Sequence, residues 1–219
     1  MSIDLPFHRS WFDEDEINEV VDTLKSGWLT TGPKTMRFEE AFKDHVGCSQ
    51  AIALNSCTAG LHLALAVQDF DPESEVITTP MTFPATANVI VHENLRPIFV
   101  DIEPETLNLD CDKIEEKITS QTGALLPVHY AGHPCDMDAI QSIADQYRFV
   151  VIEDAAHALE AHYKGHKIGD LGNLVAFSFY ANKNITTGEG GMLAVPDREM
   201  ANKIRVMRLH GLNRDAWKR

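Results

Sequence analysis

Lys183 lies in a run of small and polar residues, Ala181-Asn182-Lys183-Asn184-Ile185-Thr186-Thr187-Gly188-Glu189-Gly190-Gly191. An apolar, β-prone run over 174–179 leads into it, and another over 192–195 leaves it. Strands usually connect through short turns, so a longer glycine-containing link around one lysine asks for a cause. One reading is a solvated lysine in an exposed hairpin, the commonest fate of a lysine. The other is an amine placed to attack a carbonyl. A free lysine, with a pKa of about 10.4, needs desolvation or a neighbouring cation to do that at neutral pH. The loop alone favours the solvated reading.

Three upstream stretches shift the balance. Asn55-Ser56-Cys57-Thr58-Ala59-Gly60 follows a strand and opens a helix. Small residues with free N–H groups at a helix N-terminus suit a phosphate, and Thr58 adds a hydroxyl. The stretch is not a GxxxxGK[ST] loop, and a Ser/Thr-rich turn is more often a plain N-cap. Glu153-Asp154-Ala155-Ala156-His157 ends an apolar strand. Asp154 there is a cap, an ion-pair partner, or the counter-ion of a buried protonated ring nitrogen. Thr79-Pro80-Met81-Thr82-Phe83-Pro84-Ala85-Thr86 brackets Phe83 with prolines. That ring either fills core or stacks on a planar ligand. Ser178, if it ends its strand facing a cleft, can join Thr58 on one phosphate. Each piece is ambiguous alone. Together they fit one ligand with a phosphate, a ring bearing a basic nitrogen and an aldehyde, and pyridoxal 5′-phosphate (PLP) has all three.

Positioning such groups requires a layered fold. Asp13 can cap a helix with Glu16 three residues on, and Ile17, Val20, Val21 and Leu24 give that helix one apolar face up to Gly27. A second helix is expected over 35–45. From there strands at 50–54, 75–78, 97–100, 124–128 and 149–152 alternate with helices at 59–68, 85–92, 111–118 and 136–147. This pattern means an α/β protein with a mostly parallel sheet. No helix separates the runs at 175–179 and 192–195, so simple βαβ winding ends there, before a last helix at 197–209. In open α/β sheets ligands collect beyond the carboxyl ends of the strands, where all four stretches should meet.

Composition narrows the function. With 44% hydrophobic and 24% charged residues, 219 residues suit a globular protein able to bury a core. A formal net charge of −14 without a Lys/Arg cluster argues against nucleic acid as a partner. No apolar run is long enough to span a membrane, and Met1-Ser2-Ile3-Asp4-Leu5-Pro6 does not read as a secretory signal. Cys48, Cys57, Cys111 and Cys135 form no CxxC pair, so free thiols in a reducing cytoplasm are expected. His129, His133 and Cys135 could pass for metal ligands but lack a fourth at zinc spacing, so no metal is expected.

Several stretches resemble signatures of the DegT/DnrJ/EryC1/StrS family of sugar-nucleotide aminotransferases. They are Ser26-Gly27-Trp28-Leu29-Thr30-Thr31-Gly32-Pro33, Asn55-Ser56-Cys57-Thr58-Ala59, Glu153-Asp154-Ala155-Ala156-His157, Ser178-Phe179…Lys183…Gly188-Glu189-Gly190-Gly191 and His210-Gly211-Leu212-Asn213-Arg214-Asp215-Ala216-Trp217. The resemblance covers essentially the whole chain, in family order. It implies the aspartate-aminotransferase type of PLP-dependent fold (fold type I), with helices on both faces of the sheet. By resemblance Lys183 is the Schiff-base lysine and Asp154 the partner of the pyridine nitrogen. Thr58 and Ser178, with backbone near Cys57, form the phosphate site. Phe83 covers the ring, and His157 stands near the ring hydroxyl. Family dehydratases replace the lysine, typically by His, so Lys183 favours transamination from an amino acid such as glutamate to a keto-sugar nucleotide. A dehydratase or lyase, or a truncated protein that only binds cofactor, are the alternatives. The resemblance also implies an N-terminal helical segment, 1–48, packed on a PLP-binding domain, 49–219, with the family's C-terminal small domain absent. The residues after His210 would lead towards the neighbouring subunit's site in a family homodimer.

Overall fold

The computed structural model describes residues 8–212. The N-terminal hexapeptide and the stretch from Asn213 to Trp217 lie outside the described residues. In chain order the elements are α1 (Glu14–Ser26), α2 (Pro33–Val46), β1 (Gln50–Leu54), α3 (Cys57–Ala66), β2 (Glu75–Thr78), α4 (Ala85–His92), β3 (Arg96–Phe99), β4 (Thr122–Leu126), α5 (Met137–Tyr147), β5 (Val150–Asp154), β6 (His162–Tyr163), β7 (His166–Lys167), β8 (Leu174–Ser178), β9 (Gly191–Val195) and α6 (Arg198–Arg208).

Among the described residues one sheet has seven strands, in the order β1-β9-β8-β5-β4-β2-β3. The pairs from β8 through β5, β4 and β2 to β3 are all parallel. Strand β9 runs antiparallel to both β8 and β1. Two reversals restore direction, so β1 points the same way as β8 and β5. The carboxyl ends of β1, β8, β5 and β2 therefore open on one edge of the sheet, and β9 begins there. The departure from βαβ winding expected after residue 175 is this β8–β9 hairpin.

Period-two alternation sorts the strand residues between two faces. Ile52, Val76, Ala124, Leu126, Ile152, Leu174, Ala176, Leu193 and Val195 pack with Leu61 and Leu65 of α3, Val89 and Ile90 of α4, and Ile204 of α6. Their neighbours point the other way. Ala51, Val175, Phe177, Met192 and Ala194 meet Phe42 and Val46 of α2. Ile77, Leu125 and Val151 meet Ile140 and Ala144 of α5. Helices thus cover both faces, as an α/β layered sheet requires. Gly60 sets the α3–sheet distance: a Cβ there would come within 3.2 Å of the Ala176 Cβ.

The segment 111–118 is not the expected α-helix. It is two 3₁₀ turns, Cys111–Lys113 and Glu115–Lys117. Ile114 is fully buried, but Ile118 is already extended, and the Thr119 N–H bonds Thr122 Oγ1 at the start of β4. A single fully buried side chain, Ile114, and an extended backbone already at Ile118 leave no room for a stable α-helix. The short β6–β7 hairpin carried no legible alternation and was not expected.

At the N-terminal end, α1 has the anticipated capping box, Asp13 with Glu16, and stops at Gly27 with φ 71°. None of its residues is buried, and Ile17, Val20, Val21 and Leu24 are all exposed. Lys34 of α2 reaches back to Glu19 and Asp22 on α1. Helix α2 does pack on the sheet, with Pro33 at its first turn. Arg208 of α6 ties the layers together by bonding the Ala53 carbonyl at 2.9 Å and pairing with Glu39.

Candidate active site

The lysine loop is held from both ends. Phe179, 1% exposed, packs its ring 5.2 Å from Phe38 and 5.9 Å from Phe42. Its N–H donates to Gly190 O, and its carbonyl accepts from Thr187 N–H and Thr186 Oγ1. The Lys183 N–H donates to Tyr180 O at 2.9 Å. Ser10 adds a bond from its hydroxyl to Ala181 O. A long hairpin connection so tied projects Lys183 in a defined direction.

That direction is a cleft of about 370 Å3 shared by Lys183, Asn182, Asn184, His157, Ala131 and Gly132. The Lys183 side chain is half-buried. Burial lowers its pKa, and the neighbouring Cys57 and Asp154 oppose that shift. His157 is likewise lowered by burial and then by the Lys183 charge, against the pull of Asp154. The Cys57 thiol is pushed well above its ordinary range by burial and by Asp154. Cys57, Asp154, His157 and Lys183 are therefore within electrostatic reach of one another at one end of the sheet.

Asp154 is the last residue of β5 and is 5% exposed. Its backbone is clamped to the β4 extension, with its N–H on Pro127 O at 2.9 Å and its C=O accepting from His129 N–H at 3.1 Å. Its carboxylate is held by two close donors, with the Cys57 Sγ a weak third at 4.0 Å from Oδ1. Thr86 Oγ1 lies 2.7 Å from Oδ2, and the Ala156 N–H lies 3.1 Å from Oδ1. Thr86 was not singled out by its type or spacing, since a Thr in a helical first turn is ordinary.

The phosphate-type cradle is at the next strand ends. Ser56 caps α3, taking the Ala59 N–H with its hydroxyl, while its carbonyl takes the Gly60 N–H at 3.2 Å. The N–H groups of Cys57 and Thr58 are left to a ligand. Gly191, which pairs with both Leu54 and Ser178, lies directly beneath this turn. A Cβ on it would fall 2.3 Å from the Ser56 carbonyl carbon and 2.5 Å from the Cys57 nitrogen. Ser178 Oγ accepts from the Tyr180 N–H at 3.3 Å, so its own proton is available to donate. Thr58 is exposed on the first turn of α3.

Phe83 is 77% exposed, which removes the core-filler reading. Its carbonyl lies 3.2 Å from Thr86 Oγ1, so it is linked through Thr86 to Asp154. Of the metal-like stretch, His129 and Cys135 are buried and His133 is exposed. His129 is buried with Nε2 2.8 Å from Glu153 Oε2, and its Nδ1 accepts from the Cys135 N–H. Among the described residues, no three His, Cys, Asp or Glu side chains are placed to hold a metal ion. All four thiols are free.

One end of the sheet thus carries backbone N–H groups at the α3 N-terminus, the hydroxyls of Thr58 and Ser178, a fixed carboxylate at Asp154 and a partly desolvated amine at Lys183. The model of the DegT/DnrJ/EryC1/StrS aminotransferase family matches residues 11–219. The spore coat polysaccharide biosynthesis protein SpsC of Bacillus subtilis is 50% identical over 98% of this chain and 55% of its own length. The UDP-4-amino-4-deoxy-L-arabinose–oxoglutarate aminotransferase of Shewanella sediminis is 46% identical, over 98% of this chain and 55% of its own. The structure of Streptococcus pneumoniae Spr1654, solved in PLP and PMP forms, superposes with a TM-score of 0.91 at 37% identity, covering 94% of this chain and 58% of that one. The chain thus spans about half the length of the curated relatives it matches. It belongs to the DegT/DnrJ/EryC1/StrS aminotransferase family.

Proposed function

We propose that this chain is the cofactor-binding part of a PLP-dependent aminotransferase. The enzyme moves an amino group from an amino acid, glutamate in the first instance, to a keto-sugar nucleotide for surface-polysaccharide or amino-sugar assembly. The relatives named for polysaccharide biosynthesis and for a UDP-amino sugar with oxoglutarate support the substrate class. A cytoplasmic homodimer is the form in which we expect it to act. No helix of the described residues is long and apolar enough to cross a membrane.

The observation that carries the reading is the convergence of Asp154, Lys183 and the α3 N-terminus from three separate strand ends. Bound PLP would supply a carbonyl carbon open to amine attack and a protonated ring able to withdraw electrons. This chain's residues do the rest. Asp154, anchored by Thr86 and Ala156, holds the charge of the protonated ring nitrogen. The N–H groups of Cys57 and Thr58, with the hydroxyls of Thr58 and Ser178, hold the phosphate. Phe83 would cover the ring, and His157 would stand near its hydroxyl. Lys183 Nζ would hold the carbonyl carbon and, once the incoming amino acid has displaced it, would carry the proton from the amino-acid carbon to that carbonyl carbon.

The test uses the full-length protein reconstituted with PLP. Lys183→Ala should abolish the visible absorbance of covalently held cofactor and lower glutamate-driven turnover by roughly a hundredfold or more. An unchanged spectrum in that variant overturns the lysine assignment.

A further inference from the structure

Thr86 sits in the first turn of α4 and is fully buried. Its hydroxyl meets three oxygens: Asp154 Oδ2 at 2.7 Å, Thr82 Oγ1 at 2.6 Å and the Phe83 carbonyl at 3.2 Å. It has one proton to give. An ionised carboxylate only accepts, and charge-assisted bonds are the stronger, so that proton goes to Asp154. Thr82 must then donate to Thr86. The Phe83 carbonyl, at the longest of the three distances, takes at most a shared portion. The result is a directed relay, Thr82 to Thr86 to Asp154, running from the loop that carries Phe83 into the buried carboxylate.

This geometry fixes more than a rotamer. The Ala156 N–H holds Oδ1 while Thr86 holds Oδ2, so the plane of the carboxylate is set from both sides. Each oxygen keeps lone-pair capacity for a ligand. Thr82 precedes Phe83 in the chain, and the Phe83 carbonyl itself lies 3.2 Å from Thr86 Oγ1, so the relay ties the backbone of that loop to Asp154.

Resting on the reading of Asp154 as the ring-nitrogen partner, we propose that Thr82 and Thr86 are positioning residues that hold Asp154 as an aimed carboxylate and lock the Phe83 loop to it. Neither touches the reacting atoms. Their contribution is the orientation of an anion that would otherwise reorganise when the cofactor enters.

Isosteric and hydroxyl-preserving variants of the full-length protein separate this from a packing role. Thr86→Val keeps shape and removes the donor; Thr86→Ser keeps the donor. Expected for Thr86→Val is a PLP dissociation constant about tenfold higher by absorbance titration, with kcat lowered and KM for glutamate little changed. Thr86→Ser should bind within about twofold of wild type. Thr82→Val should move the constant in the same direction by a smaller factor, about threefold. If Thr86→Val does not fold, Thr82→Val carries the comparison. The proposal is overturned if Thr86→Val, or in its place Thr82→Val, binds PLP as wild type does. It is also overturned if Thr86→Ser is as impaired as Thr86→Val. Failure of the site reading itself would show separately, as an unaltered cofactor spectrum in Lys183→Ala.

Discussion

Lys183 and His157 share a cleft in which desolvation lowers the pKa of both, while the Asp154 charge works in the opposite sense. The sign has a chemical consequence. A lowered lysine pKa raises the fraction of free amine at any given pH below the ordinary value of about 10.4. In the cofactor-free full-length protein, Lys183 should therefore reach half-maximal reactivity towards an amine-directed reagent at lower pH than the exposed lysines. Residue-resolved mass spectrometry across a pH series checks this, and a half-point equal to that of surface lysines would remove the desolvation argument. Lys183 and Asp154 were each ambiguous in the sequence, an amine in a glycine-rich link and a carboxylate at a strand end, and the structure brings both to one end of the sheet. Thr86 was not legible. Its role depends on a carboxylate 68 positions away along the chain, and no local pattern records that contact.

At the scale of elements, the α3 N-terminus and the start of β9 are one construction. Gly191 is needed less for its dihedral freedom than for its lack of a side chain, because a Cβ there would run into the Ser56–Cys57 backbone. Gly191→Ala should push this turn outward. We expect a loss of about 1–3 kcal/mol in stability by chemical denaturation, and PLP binding weakened more than that of a phosphate-free analogue, pyridoxal. Equal loss for both ligands would mean that the turn does not hold the phosphate. Elements with strong local signals, such as α1 with its capping box and α5 with its apolar stripe, stand where the sequence puts them. The 111–118 segment does not, because strand β4 claims its end.

Across the whole molecule, the two faces of one sheet carry three apolar clusters, and each holds a buried cysteine: Cys57 in the α3–α4–α6 cluster, Cys48 beside α2, and Cys135 beside α5. Burial raises the thiol of Cys48 to about 11 and that of Cys135 further, so none of them is reactive in the folded state. The clusters share β8 and β5, which are buried on both faces. The sheet should open as one unit, and these three cysteines should alkylate at a common slow rate set by that opening. Cys111, half-buried and with its thiol likewise pushed up to about 11, serves as the reference for a protonated but partly accessible thiol that needs no opening of the sheet. Distinct rates for the three would show that the layers open separately. The clamp behind Asp154 belongs to this scale too, since His129, Glu153 and Asn173 bond within the sheet and fix the end of β5.

The sequence by itself determined the alternation of strands and helices, the end of βαβ winding near residue 175, and the residue types able to bind a phosphorylated ring, because these are written in short-range periodicity and in motif chemistry. Tertiary structure alone decided that Phe83 stands exposed, that the apolar face of α1 finds no cover among the described residues, and that Asp154 is gripped by a threonine relay. Burial and long-range hydrogen bonds depend on which surfaces meet, and local pattern carries no record of that.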